Sequence, residues 1–438
     1  MSVSEARTLL KGWKGDAYVF GLGVLDRVGA LAKALGPTAL LACSSSNWAR
    51  GPLETITGSL RDAGVSYTMV PGARPNCPRE DLYRMALNAA AHGPHSIIAF
   101  GGGSTIDCAK AASVLATYRP AEVSRALGVG WDEACTIEPY FGTDMVTKVR
   151  DAASRPPLPV IAVQTASSSA AHLTKYSNIT DPAIGQKKLI VDEAIVPRYA
   201  VFDHGVTLGA PDSLTVDGGL DGIAHLWEVF MGATGRSFYD AIERVAYAGV
   251  ELIVKNLTRA LEEREDVEAR TALGLGTDLG GYAIMIGGTN GPHLGSFSLV
   301  DVLSHGRACA ILSPYYTVFF ARDIQGQLRA IGPIFKEAGY IDGDLAGLRG
   351  RELGEAVAEG MINFNEDLGF PTTLREAGVT EEHLRRMLEA ARDPQLKMKL
   401  MNMPTPLDPD RGDIDRYMRG VLEAAFTGDF GSIETMER

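Results

Sequence analysis

No uninterrupted apolar run in this 438-residue chain approaches the roughly 18 residues that a membrane-spanning helix needs, which predicts a protein with no membrane partner. Cysteine is scarce. Cys43, Cys77, Cys108, Cys135 and Cys309 are widely spaced, with no CxxC pair. Such an odd, sparse set excludes a disulfide framework or a zinc ribbon and reads as reduced thiols in a cytoplasm. Positive charge is in deficit: 42 Lys and Arg against 54 Asp and Glu leave a net charge of −12. That balance argues against nucleic acid or an anionic membrane surface as the main partner. The opening MSVSEARTLLKGWKGD has no long apolar stretch after a basic region, so no signal peptide is read there. Internal repeats and low-complexity segments are missing too. What is present is an ordinary globular composition, 45% hydrophobic and 22% charged, in a chain long enough for two domains.

The first 200 residues alternate short apolar runs with amphipathic stretches. TALLACS (38–44), VSYTMVP (65–71), SIIAFGGG (96–103), PVIAVQT (159–165) and YAVFD (199–203) read as buried strands. LDRVGALAKAL (25–35), PLETITGSLRDAG (52–64) and REDLYRMALNAAA (79–91) read as helices between them. That alternation predicts a parallel, doubly wound α/β sheet over residues 1–207. From about residue 208 the pattern turns helix-periodic and poor in strand signals, predicting an all-α domain over 208–438. Residues 117–157 are too long for a routine connection and read as a lid or an interface element, between which the sequence does not choose. The closing GDFGSIETMER reads as a frayed tail.

Two groups of residues carry chemistry. The first is Asp221 and His225 in LDGIAHLWEVF, His293 in GPHLGSF and His305 in LSHGRACAIL. One carboxylate and three imidazoles suit a borderline divalent metal such as Fe²⁺ or Zn²⁺. Asp221 and His225 share one helix face at i,i+4, whereas the other two reach them only through folding. Any one of these histidines read alone is an ordinary core or surface residue. The second group is IIAFGGGSTIDCAK, where an apolar strand runs through Gly101, Gly102 and Gly103 into a helix. Glycines let backbone approach a bound group, Ser104 is a good N-cap, and a helix N-terminus holds an anion such as a pyrophosphate. The same residues would also make a tight turn with no ligand, and they are not the G-x-G-x-x-G fingerprint.

GGGSTIDCAK resembles the GGGSxxDxxK motif of the iron-containing (group III) alcohol dehydrogenase family, within the dehydroquinate synthase-like superfamily. YVFGLGVLDRVGALAKALGPTALLA resembles that family's opening strand-and-helix segment. PVIAVQTASSSAAHLTKYSNITD resembles its threonine-rich segment and the hairpin after it. GQKKLIVDEAIVPRYAVFD is similar to its lysine-bearing strand and the strand that closes the first domain. LDGIAHLWE stands in place of the D-x-x-x-H metal pair, SHGRACAILSP in place of P-H-G-x-A-x-A-x-x-x-P, and KLMNMPTPL near the N-P-R-P segment. These motifs fall in order over more than 300 residues of the chain.

The resemblance implies that Asp221, His225, His293 and His305 bind the metal. It also implies that Gly101, Gly102, Gly103, Ser104 and Asp107 belong to the pyrophosphate loop, that Thr165 and Ser169 face the cofactor, and that Lys187 contacts its ribose. Asp107 and Lys110 would serve equally as a structural pair behind the loop. Three departures stand out. His293 and His305 are 12 apart where the family commonly has 14, Phe297 replaces a second histidine near the nicotinamide, and His172 takes the place of a glutamate. His172 is therefore a candidate for proton transfer in a cleft that Phe297 cannot serve. The position aligned with the family's ribose-binding acid is Ser44, followed by Ser45, Ser46 and Asn47, with Arg50 nearby. With no carboxylate there to repel a 2′-phosphate, NADP(H) is favoured over NAD(H).

The implied activity is a metal-dependent NAD(P)(H) alcohol dehydrogenase or aldehyde reductase, using Fe²⁺ or Zn²⁺ on a small alcohol or aldehyde. A cytoplasmic homodimer or higher homo-oligomer is expected. Two alternatives stand beside it. One is a dehydroquinate synthase-like or glycerol-phosphate dehydrogenase-like enzyme, for which Lys175 and Arg307 are the evident basic candidates. The other is a family member that binds metal and nucleotide without turnover.

Overall fold

The structure is a computed structural model, and it describes residues 3–44, 46–181, 183 and 185–436. Among the described residues nine strands occupy the first half: β1 (Tyr18–Gly21), β2 (Thr38–Cys43), β3 (Ser66–Pro71), β4 (Ser96–Gly101), β5 (Gly142–Thr143), β6 (Val160–Gln164), β7 (Tyr176–Asp181), β8 (Gln186–Val191) and β9 (Tyr199–Asp203). Six of them form an all-parallel sheet in the order β1-β9-β6-β4-β2-β3. The central β4 is buried along all six residues, as its continuous apolar run requires when both faces are covered. Successive side chains point to opposite faces. Ile97 and Ala99 pack with Leu82, Met85 and Ile106 of the Arg79–His92 and Gly103–Thr117 helices. Ile98 and Phe100 pack with Val28, Ile56 and Leu60 of the Val28–Leu35 and Arg50–Asp62 helices. Each buried Ile or Phe contributes about 1.5–3 kcal/mol, and the sheet is the core of this half.

A smaller sheet, β5-β8-β7, pairs β7 and β8 antiparallel and β5 with β8 parallel. The long segment over 117–157 carries secondary structure of its own. It folds into the Pro120–Leu127, Trp131–Ala134 and Met145–Ala153 helices. Val123, Ile137, Tyr140, Val146 and Val149 join the core against the sheet. The alternation of turns and aromatics that obscured its pattern is the signature of short helices separated by tight turns.

After β9 the described chain is helical. Its helices include Asp212–Met231, Tyr239–Glu262, Val267–Ile286, Gly291–Ser296, His305–Phe319, Gln325–Glu337, Gly350–Asp367, Glu381–Ala390, Lys397–Met401 and Arg419–Thr427. The contacts resolve two compact units. One comprises Lys11–Ala166 and Ala170–Ala210; the other comprises Pro211 onward together with Ser167–Ser169 and the chain up to Leu10. A cut at a single position does not describe that division. The expected frayed tail is in part tied down. Ile433 is buried, and Arg351 donates to the carbonyls of Phe430 and Ile433, at 2.5 and 2.8 Å. Among the described residues no helix is long and apolar enough to cross a membrane.

Candidate active site

Asp221, His225 and Glu228 form an i, i+4, i+7 stripe on the Asp212–Met231 helix, all buried. Asp221 Oδ1 is the hub. It lies 3.7 Å from His293 Nε2, 3.8 Å from His305 Nε2 and 3.9 Å from His225 Nε2. The rings of His225 and His293 stack at 4.6 Å, and the His293 and His305 rings meet edge-on at 4.9 Å. His305 opens the His305–Phe319 helix, and Gly306 lets that helix close on its neighbour. A Cβ there would overlap the Asp217 carbonyl oxygen and come within 3.0 Å of Asp221 Cβ. Arg307 pairs with Asp217 at 3.1 Å and fastens the same contact.

The back of each distant imidazole is held by a hydrogen bond. His293 Nδ1 is 2.6 Å from Glu228 Oε1, so the carboxylate accepts its proton and Nε2 presents a lone pair. Glu228 Oε2 also accepts from the backbone N–H of Asn290 at 2.7 Å, fixing the turn that leads into Gly291–Ser296. Ser296 Oγ donates to the His293 carbonyl at 2.8 Å and stands 3.0 Å from His305 Nδ1, where it accepts. The 12-residue spacing of His293 and His305 thus spans a short helix and a turn, and His293 is the imidazole closest to Asp221.

Burial sets the charge states. Desolvation holds His225 down at about 4, so its ring is neutral. The same effect raises Glu228 to about 7 and lowers the buried Lys399 to about 8, each opposed by the other's charge. Lys399 donates to Thr289 Oγ1 and lies 5.5 Å from the Phe297 ring, which is itself buried and stacked on His305. Asn402 donates to the Thr289 carbonyl at 3.1 Å, so the KLMNMPTPL segment braces the turn behind His293.

A divalent metal fits this pocket. The donors are one carboxylate oxygen and three imidazoles, they converge from three helices, and His225 Nδ1 is buried without a hydrogen-bond partner among the described residues. One neighbouring side chain was not singled out from the sequence. Cys309 is fully buried, and its sulfur forms with donor atoms of Asp221, His293 and His305 a group lying within 4.8 Å of one another. The missed signal is its spacing, since His305 and Cys309 stand at the same i,i+4 interval as Asp221 and His225.

The glycine loop follows β4. Gly102, with extended φ −75° and ψ −174°, is the N-cap of the Gly103–Thr117 helix. Ser104 is not the cap; it lies inside the first turn, and its hydroxyl accepts from the Asn76 N–H at 3.0 Å. A Cβ on Gly102 would meet nothing within 4 Å, so open space lies over the cap. A Cβ on Gly101 would come 2.7 Å from Thr105 Cβ. Asp107 is buried, with Oδ2 accepting from the backbone and side chain of Asn178 at 3.1 Å and Oδ1 3.6 Å from Lys110 Nζ. Lys110 Nζ in turn donates to the Tyr176 carbonyl at 2.7 Å. Both residues anchor β7 behind the loop. Lys187 is on β8 opposite Thr180, and Thr165 directly follows β6.

Ser169 groups with the helical unit. Ser44 follows β2, its hydroxyl accepting from the Ser46 N–H at 3.2 Å; Ser45 is outside the described residues. Arg50 begins the Arg50–Asp62 helix and is exposed. His172 is buried with its ring 5.4 Å from Tyr18 and 5.6 Å from Phe202. Its Nε2 is 3.5 Å from the Tyr18 hydroxyl, and it belongs to the unit that carries the sheet.

Two family profiles cover most of the chain: "Iron-containing alcohol dehydrogenase" matches residues 16–204, and "Fe-containing alcohol dehydrogenase family, C-terminal" matches residues 215–414. The chain belongs to the iron-containing alcohol dehydrogenase family. Among its relatives, the NAD-dependent methanol dehydrogenase of Bacillus methanolicus is 25% identical over 86% of this chain and 91% of its own length. The NADPH-dependent butanol dehydrogenase of Clostridium saccharobutylicum is 26% identical, covering 85% of this chain and 88% of its own. The fold matches the solved alcohol dehydrogenase from Oenococcus oeni with a TM-score of 0.78 at 22% identity, over 93% of this chain and 98% of that one. Members of this family thus include both NAD- and NADPH-dependent enzymes.

Proposed function

We propose that the chain is a metal-dependent NAD(P)(H) alcohol dehydrogenase or aldehyde reductase, with NADP(H) preferred. The observation that carries the reading is Asp221 Oδ1 with three imidazole Nε2 atoms at 3.7 to 3.9 Å, His225 and His293 being buried and His293 and His305 braced from behind. Asp221, His225, His293 and His305 would hold Fe²⁺ or Zn²⁺. Bound there, the metal supplies Lewis acidity toward the oxygen of an alcohol or aldehyde. Glu228 and Ser296 keep the His293 and His305 lone pairs turned toward it. The amides opened by Gly102 and Gly103 would cradle the pyrophosphate at the helix N-terminus. Gly101 and Ser104 shape that turn, Asp107 anchors it, and Thr165, Ser169 and Lys187 would take the remaining cofactor contacts. At the ribose, Ser44 in place of an acid leaves room for a 2′-phosphate.

His172 we assign to packing between Tyr18 and Phe202, so the proton would leave through water and not through this imidazole. The phosphate-substrate alternative gains no support, because Lys175 pairs with Glu193 at 3.3 Å and Arg307 with Asp217 at 3.1 Å. A cytoplasmic homodimer or higher homo-oligomer completes the reading. The deciding experiment incubates the protein with NADPH or NADH and a panel of aldehydes, with and without added Fe²⁺ or Zn²⁺. Metal-dependent oxidation of NADPH is expected. Absence of turnover with every aldehyde and either metal would overturn the assignment.

A further inference from the structure

We propose that Cys309 is a direct sulfur donor to the metal. The ion would then be held by the mutually close donors Asp221, His293, His305 and Cys309, with His225 adjoining them at Asp221. The inference rests on reading this pocket as a metal centre, and it adds to it a donor of different chemistry.

Three observations carry it. The Asp221 carboxylate, the His293 and His305 rings and the Cys309 thiol each offer one atom, and the four atoms lie within 4.8 Å of one another. Metal–ligand bonds of about 2.0–2.3 Å place neighbouring donors of a tetrahedral site roughly 3.3–3.8 Å apart, so side-chain adjustments of about an ångström close this group around one ion. Cys309 is fully buried one helical turn after His305, and so projects from the same helix face. Its surroundings are also not those of a cysteine acting as a small hydrophobe. They contain a carboxylate and ring nitrogens.

On ligation the thiol gives its proton to solvent and the sulfur lone pair forms the metal bond, with no change of oxidation state. With Asp221 and Cys309 both anionic, a divalent ion becomes formally neutral. A soft donor also shifts preference toward Zn²⁺ over Fe²⁺ relative to an Asp-His₃ set.

Cobalt substitution tests this in the full-length protein without recourse to activity. The protein stripped of metal is titrated with Co²⁺ while visible and near-ultraviolet absorption are recorded. Visible ligand-field bands saturating at one Co²⁺ per chain are expected, with a near-ultraviolet sulfur-to-cobalt charge-transfer band rising in step. Cys309→Ser should remove the charge-transfer band, keep the visible bands, and weaken Co²⁺ binding by about tenfold or more. The parent spectrum decides even if that variant folds poorly. Visible bands without a sulfur band, or a sulfur band unchanged in Cys309→Ser, overturn the proposal and leave the metal centre standing. If Co²⁺ does not bind at one per chain, or binds equally to His305→Ala, the metal centre itself falls and the sulfur ligand with it.

Discussion

The metal pocket and the glycine loop solve different problems with different parts of the chain. The pocket is made of side chains. Asp221 meets rings from His293 and His305, and the Glu228 carboxylate that braces it reaches across 65 residues to His293. The loop is made of backbone. Gly101, Gly102 and Gly103 are contiguous, the helix that follows supplies the N–H groups, and open space lies over Gly102 where a ligand can enter. A side-chain site fails when one donor is removed, while a backbone site fails when something is added. That contrast orders the tests.

The largest effect is expected from deleting a donor. His225→Ala, His293→Ala and His305→Ala should each lose bound metal and lower kcat/KM by about a thousandfold or more, since metal catalysis supplies several kcal/mol. NADPH binding should persist in all three, as read by quenching of protein fluorescence. If His293→Ala alone retained full metal content, that imidazole would leave the ligand set. Next comes the brace. Glu228→Gln keeps the shape but not the charge that orients His293, and metal affinity should fall about 10–100-fold by competition with a chromogenic chelator. An unchanged affinity would separate Glu228 from the site.

Adding a methyl to the loop is the complementary break. Gly102→Ala meets no steric obstacle in the fold, so stability should change by less than about 1 kcal/mol. NADPH affinity should nonetheless drop about tenfold while metal content stays complete. Loss of metal in that variant would merge the two sites that are here distinguished. Ser44→Asp acts more narrowly, weakening NADPH by a few fold to about tenfold through like-charge repulsion with NADH barely changed. A parent enzyme that prefers NADH would remove the basis for that expectation.

An effect on stability alone comes from a residue outside both sites. Burial lowers Lys14 from 10.5 to about 8. The unfolded chain therefore binds more protons than the folded one between about pH 8 and 10.5, and the folded state gains stability as pH rises through that window. At neutral pH the charged lysine is a liability, reduced by its partial exposure. Lys14→Met should raise stability at pH 7 by about 1–2 kcal/mol, a gain that vanishes above pH 10.5, with neither metal nor NADPH affinity changed. Denaturant melts at pH 7 and 10.5 would show it.

The chain's local patterns determined much of this protein. Apolar runs of four to six residues marked β2, β4, β6 and β9, because a strand buried on both faces needs continuous apolar side chains, whereas β3, expected to be buried, is an edge strand with only Val70 buried. The glycine loop was legible for the same reason, its conformation being dictated by adjacent residues. Periodicity likewise exposed the Asp221–His225 pair, and would have exposed His305–Cys309. The Val3–Lys14 helix, with Ala6 and Leu10 buried at i,i+4, was equally readable and was not singled out. Residues 117–157 resisted because helices of four to nine residues carry too few turns to show a period. Only tertiary structure decided that His293 and His305 meet Asp221, that Ser296 and Glu228 orient them, and that Lys399 is buried beside Phe297. Contacts between residues so far apart in the chain depend on how helices pack, and packing is a sum over many side chains that no local pattern encodes. The same holds for the identity of the ligand set: spacing can place donors on one face of one helix, but only the approach of a second helix, permitted by the missing side chain of Gly306, determines which donors share an ion.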